Sequence, residues 1–84
     1  MAKKATQAVD RPAAGPAVVV SDIGLNLREG PHKQFARLLV LEDGAAVEVL
    51  PLPFEVAVPG WVLVRTEGEL CGWVASRYLR AAGR

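Results

Sequence analysis

Leu25-Asn26-Leu27-Arg28-Glu29-Gly30-Pro31 is the stretch of sequence that decides the fold of this chain. Two leucines flank the polar Asn26, and this alternation with a period of two residues predicts a half-buried β-strand. Gly30-Pro31 then ends the strand, because proline lacks an N–H group and glycine tolerates a positive φ angle. A second signal, Gly72-Trp73-Val74 followed by Tyr78-Leu79, closes the chain. The two signals together predict a small barrel whose first and last strands meet.

Further strand signals are separated by short turns along the rest of the chain. They cover residues 17–23 and 24–28, which follow one another directly, and then residues 35–41, 45–50, 61–65 and 70–74. The pattern predicts an all-β fold, a small five-stranded barrel, with a helix over residues 35–42 as the alternative. Residues 51–60 contain three prolines and predict a loop with a short extended piece at residues 54–56. Residues 75–78 are too few for an α-helix and predict a 3₁₀ turn before the last strand.

The composition divides the chain into three parts. Residues 1–16 are dominated by Ala, Gly, Pro and charges, and Pro12 and Pro16 forbid a regular helix around them. We therefore predict an extended N-terminal arm at residues 1–16, a barrel at residues 17–80 and a short C-terminal tail at residues 81–84.

The order and spacing of the motifs resemble the bacterial Src-homology-3 (SH3) family over most of the chain, from Val18 to Leu79. The resemblance implies an SH3-like barrel, a binding fold with no chemistry of its own. It also implies binding to peptidoglycan cross-bridge peptides, usually beside a hydrolase domain. The motifs that carry it are the 25–31 strand and turn, Gly44 before Val47 and Val49, Gly60-Trp61 with Val64, Gly68, Gly72-Trp73-Val74 and Tyr78-Leu79.

The same resemblance implies a shallow groove lined by aromatic residues, between the first long loop and the fourth strand. Trp61 follows the Pro59-Gly60 turn and is the side chain that we expect to contact a ligand, with Tyr78 beside it. Completion of the core is the alternative role for Tyr78 and the role that we expect for Trp73. With five aromatic residues in all, the chain offers little of the groove that proline-rich ligands require. The facing loop would supply the opposite wall through Arg28, His32 and Phe35.

Two predicted strands are apolar on both faces. Residues 61–64 read Trp-Val-Leu-Val and residues 38–41 read Leu-Leu-Val-Leu. One face of each strand in an isolated barrel meets water, so alternation is expected there. The pattern therefore predicts either an exposed patch that binds protein or a patch covered by the arm or by the 51–60 loop. The interface candidates are Val62, Leu63, Leu39, Leu41, Val18 and Val19.

Composition and charge narrow the range of partners. The 84 residues are 51% hydrophobic, above the roughly 45–50% usual for soluble domains, which suggests that another molecule covers some apolar surface. The net charge of +1 is too small for a chain that must neutralise several phosphates, so we expect no nucleic-acid partner. The apolar run at residues 18–20 is too short to span a bilayer, so we expect no membrane partner.

The residues that support catalysis or metal binding are few. The chain has one cysteine, Cys71, and one histidine, His32, which leaves no disulfide and no ligand cluster. We expect Cys71 to be a buried structural thiol, because it lies in the middle of a strand, and His32 to be solvated. The carboxylates are scattered, and no glycine-rich phosphate loop is present. We therefore predict no enzymatic activity, no cofactor and no metal.

The sequence leaves three hypotheses about function open. The first is a structural or accessory subunit of a larger, multi-subunit or homo-oligomeric assembly, for which bacteriophage heads and tails are a setting by analogy. The second is a cell-wall targeting module that binds peptidoglycan peptides. The third is a cytoplasmic adaptor that binds an extended peptide by edge pairing. No apolar segment of signal-peptide length follows Lys3 and Lys4, so we expect synthesis in the cytoplasm and release only with an assembly or on lysis.

Overall fold

Seven β-strands and two 3₁₀ turns make up the part of the chain that the structure, a computed structural model, describes, residues 14–82. The described strands pair antiparallel in the order β3-β2-β6-β5-β4-β1-β7. The predicted all-β fold and the 3₁₀ turn before the last strand are confirmed, whereas the predicted count of five strands is wrong. The elements are β1 (Gly15–Val19), β2 (Leu25–Arg28), β3 (Arg37–Leu41), β4 (Ala46–Val49), a 3₁₀ turn (Phe54–Val56), β5 (Trp61–Thr66), β6 (Cys71–Ala75), a 3₁₀ turn (Ser76–Tyr78) and β7 (Leu79–Ala81).

A turn after β1 and the short last strand account for the difference in strand count. The strand predicted over residues 17–23 ends at Val19, because the chain turns and Gly24 takes a φ angle of 90°. Ser21 holds this turn, since its N–H donates to Asp43 Oδ1 at 2.9 Å and its hydroxyl donates to the Gly24 carbonyl at 2.7 Å. Strand β7 has three residues, too few to produce a periodic signal in the sequence.

The last strand, β7, pairs with the first, β1, whereas the two strands that the sequence predicted to meet are β2 and β6, which pair at Arg28 and Trp73. Ala17 lies opposite Ala81, and Val19 lies opposite Leu79. On its other side β1 pairs with β4, so it is hydrogen-bonded along both edges. Residues 1–13 of the predicted arm and residues 83–84 of the predicted tail lie outside the described residues.

Alternate side chains of the strands meet in one core. The inward residues come from strands β1 to β6, so the sheet is curled around a single cluster. Leu39, Ala45, Tyr78 and Leu79 are partly buried and pack against it. The buried residues are Ala17, Val19, Leu25, Leu27, Leu41, Val47, Val49, Val62, Val64 and Val74.

Half of the predicted interface residues belong to this core. Val19, Leu41 and Val62 are 0%, 7% and 3% exposed, so they cannot contact a partner while the barrel is folded. Leu39 also packs against the core and is only partly exposed. Where a strand has no polar residues, its register decides which side chains point inward, and the sequence pattern does not show that register.

The outward apolar surface is formed by the intervening residues. On β3 these are Leu38 and Val40, which are 39% and 48% exposed. Leu63 on β5 and Val18 on β1 are half-buried and alternate with core residues. β3 is also an edge strand among the described residues. Because residues 37–41 form this strand, the helix considered for residues 35–42 does not form.

The extended piece predicted at residues 54–56 is a 3₁₀ turn instead. The Val56 N–H donates to the Pro53 carbonyl at 3.1 Å, and the Ala57 N–H donates to the Phe54 carbonyl at 3.2 Å. Pro53 has a φ angle of −59°, which suits the start of a helical turn. No residue of the turn is buried, so this loop contributes nothing to the core.

Strands β2 and β6 lie close together at Gly72. A Cβ atom at this position would lie 2.7 Å from Leu27 Cγ and 2.9 Å from the Arg28 carbonyl oxygen. Leu27 is fully buried, so it cannot move aside without disturbing the core. We expect Gly72→Ala to lower the free energy of unfolding by about 1–3 kcal/mol, measured by urea denaturation.

Gly68→Ala is the matched control for this substitution. Gly68 lies in the turn between β5 and β6, where the nearest atom to an added Cβ is Thr66 Oγ1 at 3.8 Å. We expect Gly68→Ala to change the free energy of unfolding by less than about 0.5 kcal/mol. Equal stability of the two variants would contradict the close approach of β2 and β6.

Candidate binding groove

An open groove of about 700 Å³ lies between the turn that follows β1 and the 3₁₀ turn Ser76–Tyr78. This volume falls within the roughly 300–1,000 Å³ of small-ligand sites. One wall is formed by the β1–β2 turn and by β2, through Ser21, Ile23, Asn26 and Arg28. The other wall is formed by the start of β5 and the 3₁₀ turn, through Gly60, Trp61, Arg77 and Tyr78.

Trp61 is positioned by the tight turn that starts β5. Its N–H donates to the Val58 carbonyl at 3.1 Å, and Gly60 takes a φ angle of 84°, which the third position of a type II turn requires. The Gly60 carbonyl then accepts the Ser76 N–H at 2.9 Å. This hydrogen bond ties the start of β5 to the 3₁₀ turn, so Trp61 and Tyr78 line the same groove.

Tyr78 is held from two sides. Its side chain packs against the core, and its carbonyl accepts the Val20 N–H at 2.8 Å. The Arg77 guanidinium lies 5.1 Å from the centroid of the Tyr78 ring, within the range of a cation–π contact. The groove therefore combines a fixed aromatic ring with a positive charge.

Arg28 closes the loop between β2 and β3 as well as lining the groove. Its Nη1 donates to the Phe35 carbonyl at 3.0 Å. The Phe35 ring covers Gly30, where an added Cβ would lie 2.6 Å from the ring atoms. The loop thus folds on itself, and Phe35 supports its shape rather than lining the groove.

The remaining predicted wall residue, His32, also lies outside the groove. It is exposed, and its Nδ1 accepts the Gln34 N–H at 3.1 Å within the loop. Its neighbour Lys33 does line the groove. The structure thus brings together Trp61, Tyr78 and Arg28 of the predicted set, and their role in ligand binding stays a prediction.

Ile23, Lys33 and Arg77 are among the groove-lining residues that sequence reasoning missed. Ile23 lies in the strand predicted over residues 17–23, where an apolar residue is ordinary, so no pattern signals that it is 93% exposed. Lys33 and Arg77 had no signal either, since a lysine and an arginine in exposed loops are ordinary surface residues.

Trp73 does not complete the core, although the sequence predicted that it would. It lies on the outward face of β6, where it pairs with Leu63 of β5 and with Arg28 of β2, and it is half-buried there. The inward positions of β6 are Gly72 and Val74. Trp73 also does not line the groove.

Cys71 is exposed, and the prediction of a buried thiol is wrong. The residue lies opposite Arg65, at an outward position of β6, because Gly72 takes the inward one. No hydrogen bond joins Cys71 to His32 within residues 14–82. Within the same residues no group of three His, Cys, Asp or Glu is placed to hold a metal ion, and no helix is long and apolar enough to cross a membrane.

Acidic side chains gather around a second, smaller hollow of about 300 Å³. It is lined by Glu48, Glu67 and Glu69 together with Arg65. Arg65 Nη2 lies 2.6 Å from Glu48 Oε1, and the pKa of Arg65 is raised first by this hydrogen bond and then by the charge of Glu48. The hollow and the groove share no lining residue.

Residues 23–80 match the family model described as a bacterial SH3 domain. No curated protein matches the chain significantly. The matched span includes every residue named above as lining the groove except Ser21. SH3-like domains are typically non-catalytic modules that bind proteins or peptides.

The exposure of Cys71 predicts its reactivity. We expect one equivalent of a maleimide reagent to label the folded protein, because the chain has a single cysteine and that residue is exposed. Mass spectrometry of the native and the urea-unfolded protein measures the labelling. A thiol that reacts only after unfolding would contradict the outward position of Cys71.

Proposed function

The chain belongs to the bacterial SH3 domain family, and we propose on that basis that it is a non-catalytic module that binds a peptide segment of a partner protein. The observation that supports this proposal is the convergence of Trp61, Tyr78 and Ile23 in one open groove. Aromatic and apolar side chains in a concave site supply most of the binding energy at protein interfaces. The family supports a non-catalytic role, since SH3-like domains are typically binding modules.

Polar groups in the groove favour a peptide over a purely apolar ligand. The Trp61 indole N–H, the Asn26 amide and the Tyr78 hydroxyl make no hydrogen bond within residues 14–82. All three belong to residues that line the groove. A peptide main chain offers both donors and acceptors to such groups, while its side chains cover the aromatic surface.

The apolar edge of the sheet supports the finer proposal that this module is an accessory subunit of a larger assembly. Leu38 and Val40 are exposed on β3, which is an edge strand of the described sheet. An apolar edge strand favours pairing with another chain. Bacteriophage heads and tails are the setting that we propose by analogy.

Trp61→Ala tests the peptide-binding proposal. The probe is a peptide selected from a random-sequence display library with the wild-type chain. We expect the substitution to weaken binding of that peptide by about tenfold or more, because a central tryptophan contributes more than about 1.4 kcal/mol at such sites. Isothermal calorimetry measures the affinity, and circular dichroism verifies that the variant is folded.

Phe54→Ala is the control for removing an aromatic side chain. Phe54 is 83% exposed in the loop before β5 and does not line the groove. We expect it to bind the selected peptide like the wild type. Loss of binding in both variants, or unchanged binding in both, would refute the groove as the peptide site. Retention of the wild-type chain on purified peptidoglycan, abolished by Trp61→Ala, would favour the cell-wall targeting function instead.

Val40→Glu tests the assembly proposal. We expect the wild-type chain to self-associate with rising concentration and to bind a hydrophobic dye, and the added charge on β3 to reduce both. Size-exclusion chromatography with light scattering measures the mass. Val56→Glu is the control, since Val56 is 52% exposed against 48% for Val40 and lies outside the sheet. A wild-type chain that stays monomeric and binds no dye would count against an apolar contact surface.

A further inference from the structure

We propose that the groove selects an acidic peptide segment of another protein, one that carries Asp or Glu side chains next to an apolar residue. This inference rests on the proposed peptide-binding function and specifies the ligand. It follows from the charges that line the groove, from their lack of internal partners and from the apolar side chains between them.

The groove gathers positive charge although the chain as a whole is nearly neutral. Three of the ten Lys and Arg residues line it, namely Arg28, Lys33 and Arg77, although the net charge of the chain is only +1. No acidic residue among residues 14–82 lines it. A concave surface with charges of one sign concentrates counter-ions and ligands of the opposite sign.

The three cationic groups form no ion pair within residues 14–82. The ion pair recorded among residues 14–82 joins Arg65 to Glu48, on the lining of the other hollow. Lys33 makes no hydrogen bond there, and the recorded contact of Arg77 is with the Tyr78 ring. Arg28 uses Nη1 for the Phe35 carbonyl, and its remaining N–H groups stay available to a carboxylate.

The carboxylates that adjoin the groove in sequence form no ion pair with its cations within residues 14–82. Asp22 and Glu29 adjoin lining residues in sequence but are exposed and do not line the groove themselves. Asp43 lies behind the wall, where its Oδ1 accepts the Ser21 N–H. The groove therefore presents unpaired positive charge to a ligand.

Apolar side chains among the cations indicate a peptide rather than a simple anion. Ile23 is 93% exposed at one side of the groove, and Trp61 is half-buried at the other. Contact with an apolar ligand side chain would remove both surfaces from water. A ligand that satisfies both features carries carboxylates and an apolar side chain on one extended backbone.

Charge also argues against the chain's own N-terminal segment as the occupant. Residues 1–13 contain Lys3, Lys4 and Arg11 against one acid, Asp10. Their net positive charge opposes binding to a cationic groove. A second copy of the chain could offer exposed acidic residues such as Glu55, which lies between the exposed Phe54 and Val56, only from its folded surface, and the measurement of oligomeric state tests this occupant directly.

The test starts from peptides selected from the random-sequence display library with the full chain. We expect Asp and Glu to be enriched among the selected peptides relative to the unselected library, beside at least one aliphatic or aromatic residue. The double variant Lys33→Gln/Arg77→Gln should bind a selected peptide about fivefold or more weakly. Raising NaCl from about 0.05 M to about 0.5 M should weaken wild-type binding, because salt screens the charges.

The double variant Arg37→Gln/Arg80→Gln is the matched control. It removes the same two positive charges from exposed positions outside the groove and should bind like the wild type. Selected peptides without acidic enrichment, whose binding still requires Trp61, would refute this inference and leave the proposed function intact. Selected peptides that bind the Trp61→Ala variant as tightly as the wild type would refute the proposed function itself. If the wild-type chain forms a dimer and the Lys33→Gln/Arg77→Gln variant is monomeric, the occupant is a second copy of the chain, and another protein is refuted as the occupant.

Discussion

Strand β1 is hydrogen-bonded on both edges, and the rest of the structure depends on this double pairing. Its pairing with β4 joins it to the main sheet, and its pairing with β7 brings the far end of the chain to the same place. The hydrogen bond from Val20 to Tyr78 extends that second pairing by one step and fixes the 3₁₀ turn. Because the 3₁₀ turn forms a wall of the groove, the closure of the barrel and the shape of the groove have a common cause.

The parts of the fold that alternate in sequence were predictable. Leu25 and Leu27 are both buried around a half-buried Asn26, and the stop at Gly30-Pro31 ends β2 two residues earlier, at Arg28. The parts of the fold whose residues do not alternate were not predictable. In the run from Trp61 to Val64, pattern alone cannot show which side chains face the core, since every residue is apolar. The pairing of β5 with β6 decides it, and that register depends on contacts across the sheet.

The same limit explains why the groove was only half predicted. Trp61, Tyr78 and Arg28 lie in motifs whose order along the chain resembles a known family, so their joint position could be predicted. The prediction that Cys71 is buried was wrong because the sequence does not show the register of β6, which places Gly72 at the inward position. Lys33 and Arg77 lie 44 positions apart in the sequence. Their presence on one groove follows from the closure of the barrel and from no local signal.

The pairing of β1 with β7 has a consequence for how the barrel can be carried by a longer polypeptide. Ala82 donates its N–H to the Pro16 carbonyl at 3.0 Å, so the strand that opens the barrel and the strand that closes it run side by side at their outer ends. The polypeptide of a host protein would therefore lead into the barrel and out of it at neighbouring positions. The barrel can therefore be inserted into a surface loop of a host without stretching that loop. For the same reason its ends can be joined by a short linker and the chain reopened in the exposed 3₁₀ turn Phe54–Val56, which gives a circular permutant with the same sheet.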